Sequence, residues 1–157
     1  MRIRLVIPAV VFALSLGVAP SVDAGGGTPS TRATATSRVL SFTRTVIRTA
    51  HGNTTYAFMD TFVWMGGISG TTVEKGTYTV HRNGLATGRA VETCSSCTIG
   101  GRTGSFRAFL TFTSNATLTK IYKSYFAFTG AGRGLAGLHG EGTFDAAGLY
   151  FSYRFQP

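Results

Sequence analysis

Apolar and β-branched residues alternate with polar ones at a period of two along most of this chain, the spacing of half-buried β-strands. In the run 106–113, Phe106, Ala108, Leu110 and Phe112 share one face, opposite Arg107, Phe109, Thr111 and Thr113. In 149–155, Leu149, Phe151, Tyr153 and Phe155 oppose Tyr150, Ser152 and Arg154. Phe58, Asp60, Phe62 and Trp64 share a face of 55–65. Further strand-like runs cover 38–49, 71–82, 85–93, 118–128 and 135–144. Turn chemistry separates them: His51-Gly52-Asn53, Gly66-Gly67, Asn83-Gly84 and Asp145-Ala146-Ala147-Gly148. Asn-Gly is a strong hairpin signal because both residues tolerate positive φ. No stretch repeats apolar residues at helical spacing over ten or more positions. The pattern predicts an all-β domain, a single eight-stranded antiparallel up-and-down β-barrel, over 38–157. Both faces carry aromatics, so the pattern leaves open which face is the lumen and whether a second copy packs outside as a homo-oligomer.

Glycine punctuates the C-terminal half. Gly100-Gly101-Arg102-Thr103-Gly104-Ser105-Phe106 opens it, and glycines recur from Gly130 to Gly142. Gly132 to Gly137 fits a G-x-G-x-x-G phosphate loop, but that reading needs a helix next, and Gly140 and Gly142 follow instead. Close strand crossing or bulging in a barrel wall accounts for them. Gly101-Arg102-Thr103-Gly104-Ser105-Phe106 resembles the "GRxGSF" signature of an uncharacterised bacterial domain family, and 130–142 resembles its "GSGxGxLxGLxGxG" pattern. That family is similar to the allene-oxide-cyclase-like and dirigent-like β-barrels, which carry a comparable "GGTGxF" turn. The resemblance spans 84–157 and implies an eight-stranded barrel with a cavity. It implies no activity. In the plant relatives the cavity holds an apolar or phenolic reactant, but their catalytic residues have no matching positions here.

The N-terminus changes the setting. Arg2 and Arg4 precede an apolar stretch from Leu5 to Val18, and Val22-Asp23-Ala24 follows, the plan of a signal peptide cleaved after Ala24. The apolar stretch is shorter than the roughly 20 residues of a spanning helix. The expected organisation is a signal peptide at 1–24, a flexible linker at 25–37 rich in Gly, Thr, Ser and Ala, and the barrel at 38–157. The protein is expected to be secreted or extracytoplasmic, with no transmembrane segment after cleavage.

Charge adds a partner question. The chain has 15 Lys and Arg against 6 Asp and Glu, a formal net charge of +9. The basic residues are scattered and form no polybasic tract, which argues against a nucleic-acid partner. An anionic envelope component meeting a basic outer surface is one reading, and a solvated basic surface is the plainer one.

Cys94-Ser95-Ser96-Cys97 holds both cysteines. An exported protein admits a disulfide between Cys94 and Cys97. A redox pair wants a helix N-terminus, and zinc wants further ligands. No cofactor or metal site is expected from the spacing of the histidines and acids. Asp60 lies among apolar residues, Glu92 shares a strand-like run with Arg89, and Arg107 and Arg154 sit mid-strand among aromatics. A buried carboxylate must be paired or neutral. The plain expectation is an internal salt bridge from Asp60 to Arg107 or Arg154. The functional one is a cavity acid or base built from Asp60, Glu92, Arg107 and Arg154 with Tyr150 or Tyr153 nearby. Glu74-Lys75 and Asp145 read as solvated turn residues. Asn53-Thr54-Thr55 and Asn115-Ala116-Thr117 fit glycosylation sequons but read as turn chemistry. Three functions fit: binding a small apolar or aromatic ligand in the lumen, a cyclase- or isomerase-type enzyme using that cavity, and a cell-envelope interaction protein.

Overall fold

A computed structural model describes residues 29–156. The expected signal peptide at 1–24 and the start of the expected linker lie outside them. Eight strands run in chain order: β1 (Thr31–Ala50), β2 (Asn53–Gly66), β3 (Ile68–Val80), β4 (Leu85–Ile99), β5 (Arg102–Asn115), β6 (Ile121–Arg133), β7 (Leu138–Phe144) and β8 (Leu149–Phe155). Each pairs antiparallel with the next, and β8 returns to β1, closing the ring. No described helix is long and apolar enough to cross a membrane.

The strands begin and end near the sequence boundaries, with one correction. Thr31 to Ser37, placed in a linker by composition, belong to β1, and Thr31 to Ala35 pair with Tyr153 to Leu149. Those five residue pairs are the whole of the β1–β8 ladder. Thr and Ala suit this place: they are small enough to lie beside Gly66, Gly67 and Phe151, and the backbone does the pairing.

The tight turns follow the glycine signals. His51 and Gly52 (φ 51° and 75°) link β1 to β2, and Gly100 and Gly101 (φ 59° and 75°) link β4 to β5. Both are two-residue loops with positive φ at each position, the twist-matched hairpin form. Asn83-Gly84 is different. Its loop holds four residues, 81–84; only Gly84 takes positive φ, and Asn83 Oδ1 accepts from the Leu85 N–H at 3.1 Å. Gly132 to Gly137 spans the β6–β7 connection, with no helix after it, and Leu135 within it is fully buried.

Period-two alternation sorts the side chains. Ile68, Ile99, Leu135 and Leu138 plug one end of the ring, packed with Phe106, Phe128 and Phe151. Inner-face glycines make room for rings: a Cβ on Gly140 would overlap the Phe128 ring, and one on Gly88 the Phe112 ring. The ring is uneven. β7 and β8 have seven residues each, whereas β1 has 20. The long side therefore overhangs the short side at the end opposite the plug, and the interior opens there.

Cys94 and Cys97 face inward on β4 at disulfide distance, their Cα atoms 6.0 Å apart. The register slips between them: Cys94 faces Phe106 and Cys97 faces Gly104, leaving one extra residue on β4. That is a β-bulge, and the cysteine pair straddles it.

Two outcomes test this architecture. Gly140→Ala should destabilise the domain by about 1–3 kcal/mol through overpacking against Phe128, read as a shift of the urea midpoint. Thiol titration under denaturing, non-reducing conditions should find no free thiol, and reduction should lower stability by about 2 kcal/mol or less, since the closed loop is short.

Candidate functional site

The interior opens into a cavity of about 300 Å³. Its walls are Phe58, Phe62 and Trp64 of β2, Tyr78 of β3, Leu110 and Phe112 of β5, and Phe126 of β6. Val39 and Phe42 of β1, 49% and 45% exposed, stand at its mouth. Across the mouth lie Leu118 and Thr119 of the β5–β6 loop and Phe144, Asp145 and Gly148 at the β7–β8 turn. Asn115 shapes the first loop, its Oδ1 accepting from the N–H groups of Thr119 and Lys120. Asp145 shapes the second, its Oδ1 accepting from the N–H groups of Ala147 and Gly148.

The polar part of the cavity is a row of carboxyls. Asp60 of β2 is the register partner of Glu74 of β3, and Glu74 is the register partner of Glu92 of β4. Residues directly opposite on neighbouring strands share a face. Asp60 and Glu92 are buried, and Glu74 lines the cavity beside Asp60. Three acids thus stand abreast on adjacent strands, facing in. Glu92 is the deepest: Trp64 Nε1–H donates to its Oε1 and also approaches Thr72 Oγ1 at 3.1 Å. Among the described residues its Oε2 and the Oδ1 of Asp60 have no hydrogen-bond partner.

The sequence expectations divide here. Asp60 and Glu92 lie inside. Arg107, Arg154 and Tyr150 do not: all three are exposed on the outer face, because their strands put Phe106, Ala108, Leu149 and Phe151 inward. Arg107 stacks over Phe109, 5.1 Å from the ring centroid, and neither arginine reaches Asp60 from outside the wall. The expected salt bridge is therefore absent. Tyr153 faces inward but packs at the plugged end, between Phe151 and Phe155. Glu74 is the residue that reading the sequence missed. Its neighbours Lys75 and Gly76 resemble a turn, yet all three are mid-strand, and Gly76 lies so close to Ala90 of β4 that no side chain fits.

The acids respond by holding protons. An ionised carboxylate buried without a partner costs several kcal/mol. Keeping a proton at pH 7 costs about 1.4 kcal/mol per unit between the solution pKa and 7. Burial pushes Asp60 up to about 7. Burial, with Glu92 and Asp60 alongside, pushes Glu74 up to about 8. Burial also raises Glu92, against the opposing hydrogen bonds from Thr72 and Trp64. The inward base of β1 is engaged elsewhere: Arg44 Nη1 donates to Tyr78 Oη at 3.2 Å and its guanidinium lies over the Tyr56 ring. Among the described residues no three His, Cys, Asp or Glu side chains are placed to hold a metal ion.

Stability should carry this signature. Folded-state pKa values raised above the unfolded ones give stability that is full below the unfolded pKa, near 4, and is lost as pH rises through about 7 and 8. Denaturant unfolding should lose up to about 1.4 kcal/mol per pH unit for each group across that window. Glu74→Gln should flatten the loss.

No family model, curated protein or solved structure matches the chain.

Proposed function

We propose that the protein binds a small apolar or aromatic molecule inside the ring. The observation that carries this reading is the cavity of about 300 Å³ walled by Phe58, Phe62, Trp64, Tyr78, Phe112 and Phe126. Small-molecule sites start at about that size and combine apolar walls with a few convergent polar groups. The closed end and the open mouth give such a ligand one route in. The proposal places the protein outside the cytoplasm, on the strength of the apolar leader-like segment after Arg2 and Arg4 and of two cysteines at disulfide distance. It also keeps the likeness to the allene-oxide-cyclase-like and dirigent-like barrels, resting on the glycine signatures at 101–106 and 130–142 together with eight antiparallel strands in a ring.

A second reading has its own observation. Asp60 and Glu74, near 7 and 8, are poised to take and return protons at neutral pH, as an isomerase or cyclase requires.

Trp64 is the only tryptophan and stands in the cavity wall. Titration with an apolar aromatic dye should therefore change its fluorescence in a saturable way. Ser37→Phe, which puts a ring at the mouth, should weaken binding by about ten-fold or more, roughly the 1.4 kcal/mol of one decade, with the urea midpoint unchanged. Saturable binding that ignores Ser37→Phe and leaves Trp64 silent would place the ligand elsewhere.

A further inference from the structure

The charge of this chain is sorted in space. It carries 15 basic side chains and only 6 acidic ones. Three of those six, Asp60, Glu74 and Asp145, line the cavity. A fourth, Glu92, lies behind Glu74 on the next strand. Among the described residues no lysine, arginine or histidine lines it. A basic protein has thus gathered four of its six acids around one apolar chamber. Asp60 is 7% exposed and lines that chamber, and its Oδ1 has no partner among the described residues. Buried polar atoms in folded proteins are almost always satisfied, so this one points to a donor supplied from outside. The rings of Trp64, Phe58 and Phe62 line the same chamber, and aromatic rings are the apolar groups that attract a cation.

We propose that the ring takes a protonated organic amine, its ammonium against Asp60 and Glu74 and its apolar body among the aromatic walls. The inference rests on the lumen-binding reading and names the ligand's chemical class. The groups facing Asp60 leave the charge uncompensated. Phe42 faces it from β1, where Arg44 is held by Tyr78; Glu74 faces it from β3, with Glu92 beyond on β4; Asp145 lies at the mouth. An ammonium group brings N–H donors and a positive charge to that corner, which turns a costly row of acids into a paired one. As pH rises and these carboxyls ionise, the amine is held more tightly. A neutral ligand of the same shape gains nothing.

The test compares 2-phenylethylamine with 2-phenylethanol, which share one body. Each is titrated calorimetrically into the full chain at about pH 6 and about pH 8.5, on either side of Asp60 and Glu74. An apolar aromatic dye runs alongside. At the higher pH the amine should bind at least about ten-fold more tightly than the alcohol, and that preference should shrink several-fold at the lower pH. Asp60→Asn should remove the preference, and Glu74→Gln should reduce it; circular dichroism confirms that each variant is folded. The preference in the unaltered protein decides the matter even where a variant does not fold. Equal binding of amine and alcohol, or binding of the dye alone, overturns the amine inference and leaves lumen binding standing. Failure of all three to bind removes the lumen reading and the inference with it.

Discussion

Closing eight antiparallel strands into a ring fixes where every second side chain goes. Each strand must then supply an inner residue to a space with limited access to water. Most positions comply with Phe, Leu, Ile or Ala, and at one end the space fills solid. On β2, β3 and β4 the inner residue at one level is an acid. Because these strands are neighbours in register, Asp60, Glu74 and Glu92 stand side by side. The raised proton affinities and the unpartnered oxygens follow from that row, in the space that the uneven strand lengths leave open. Like charges opposite one another on adjacent strands are unfavourable, and here desolvation compounds the repulsion. The fold accommodates them by protonation, by the Trp64 and Thr72 hydrogen bonds, and by leaving open space beside Asp60.

Much of this was legible beforehand. The eight runs and their order came from the period-two pattern, and most turns came from Gly and Asn. The facing of each strand was legible as well: Arg107 opposes Phe106 and Ala108, and Arg154 opposes Phe155. What the pattern lacked was the sign of each face, inside or outside, because aromatics such as Phe109 and Tyr150 decorate the outer wall too. Local composition also misled in two places. Glu74-Lys75-Gly76 has the chemistry of a turn, but its glycine answers a close backbone approach from β4. Thr31 to Ser37 has the chemistry of a linker, but pairing needs only backbone and small side chains.

Hairpin geometry held a signal for the acid row. Asp60 and Glu74 lie equally far from Gly67, the β2–β3 turn, and Glu74 and Glu92 lie equally far from Asn83 in the β3–β4 loop. Antiparallel strands folded about those two points must bring the three carboxyls level. Seeing this requires trusting the turns before trusting the local appearance of Glu74. Arg107 and Arg154 sit mid-strand among aromatics, as a cation paired with an interior acid would, but on the outer face. The wall of the ring stands between them and it.

The five residue pairs joining β1 to β8 have a topological weight out of proportion to their number. Every other neighbouring pair in the ring is linked by a short turn, so a local loss there frays an edge and leaves the two strands tethered. The β1–β8 junction has no such tether, because it brings together opposite ends of the chain. A cut after Ser37 removes more than a tail. It leaves a curved open sheet with β8 as a bare edge, exposing Leu149 and Phe151 and the backbone groups that Thr31 to Ala35 had covered. A proteolytic trim at that point would convert a vessel into a trough.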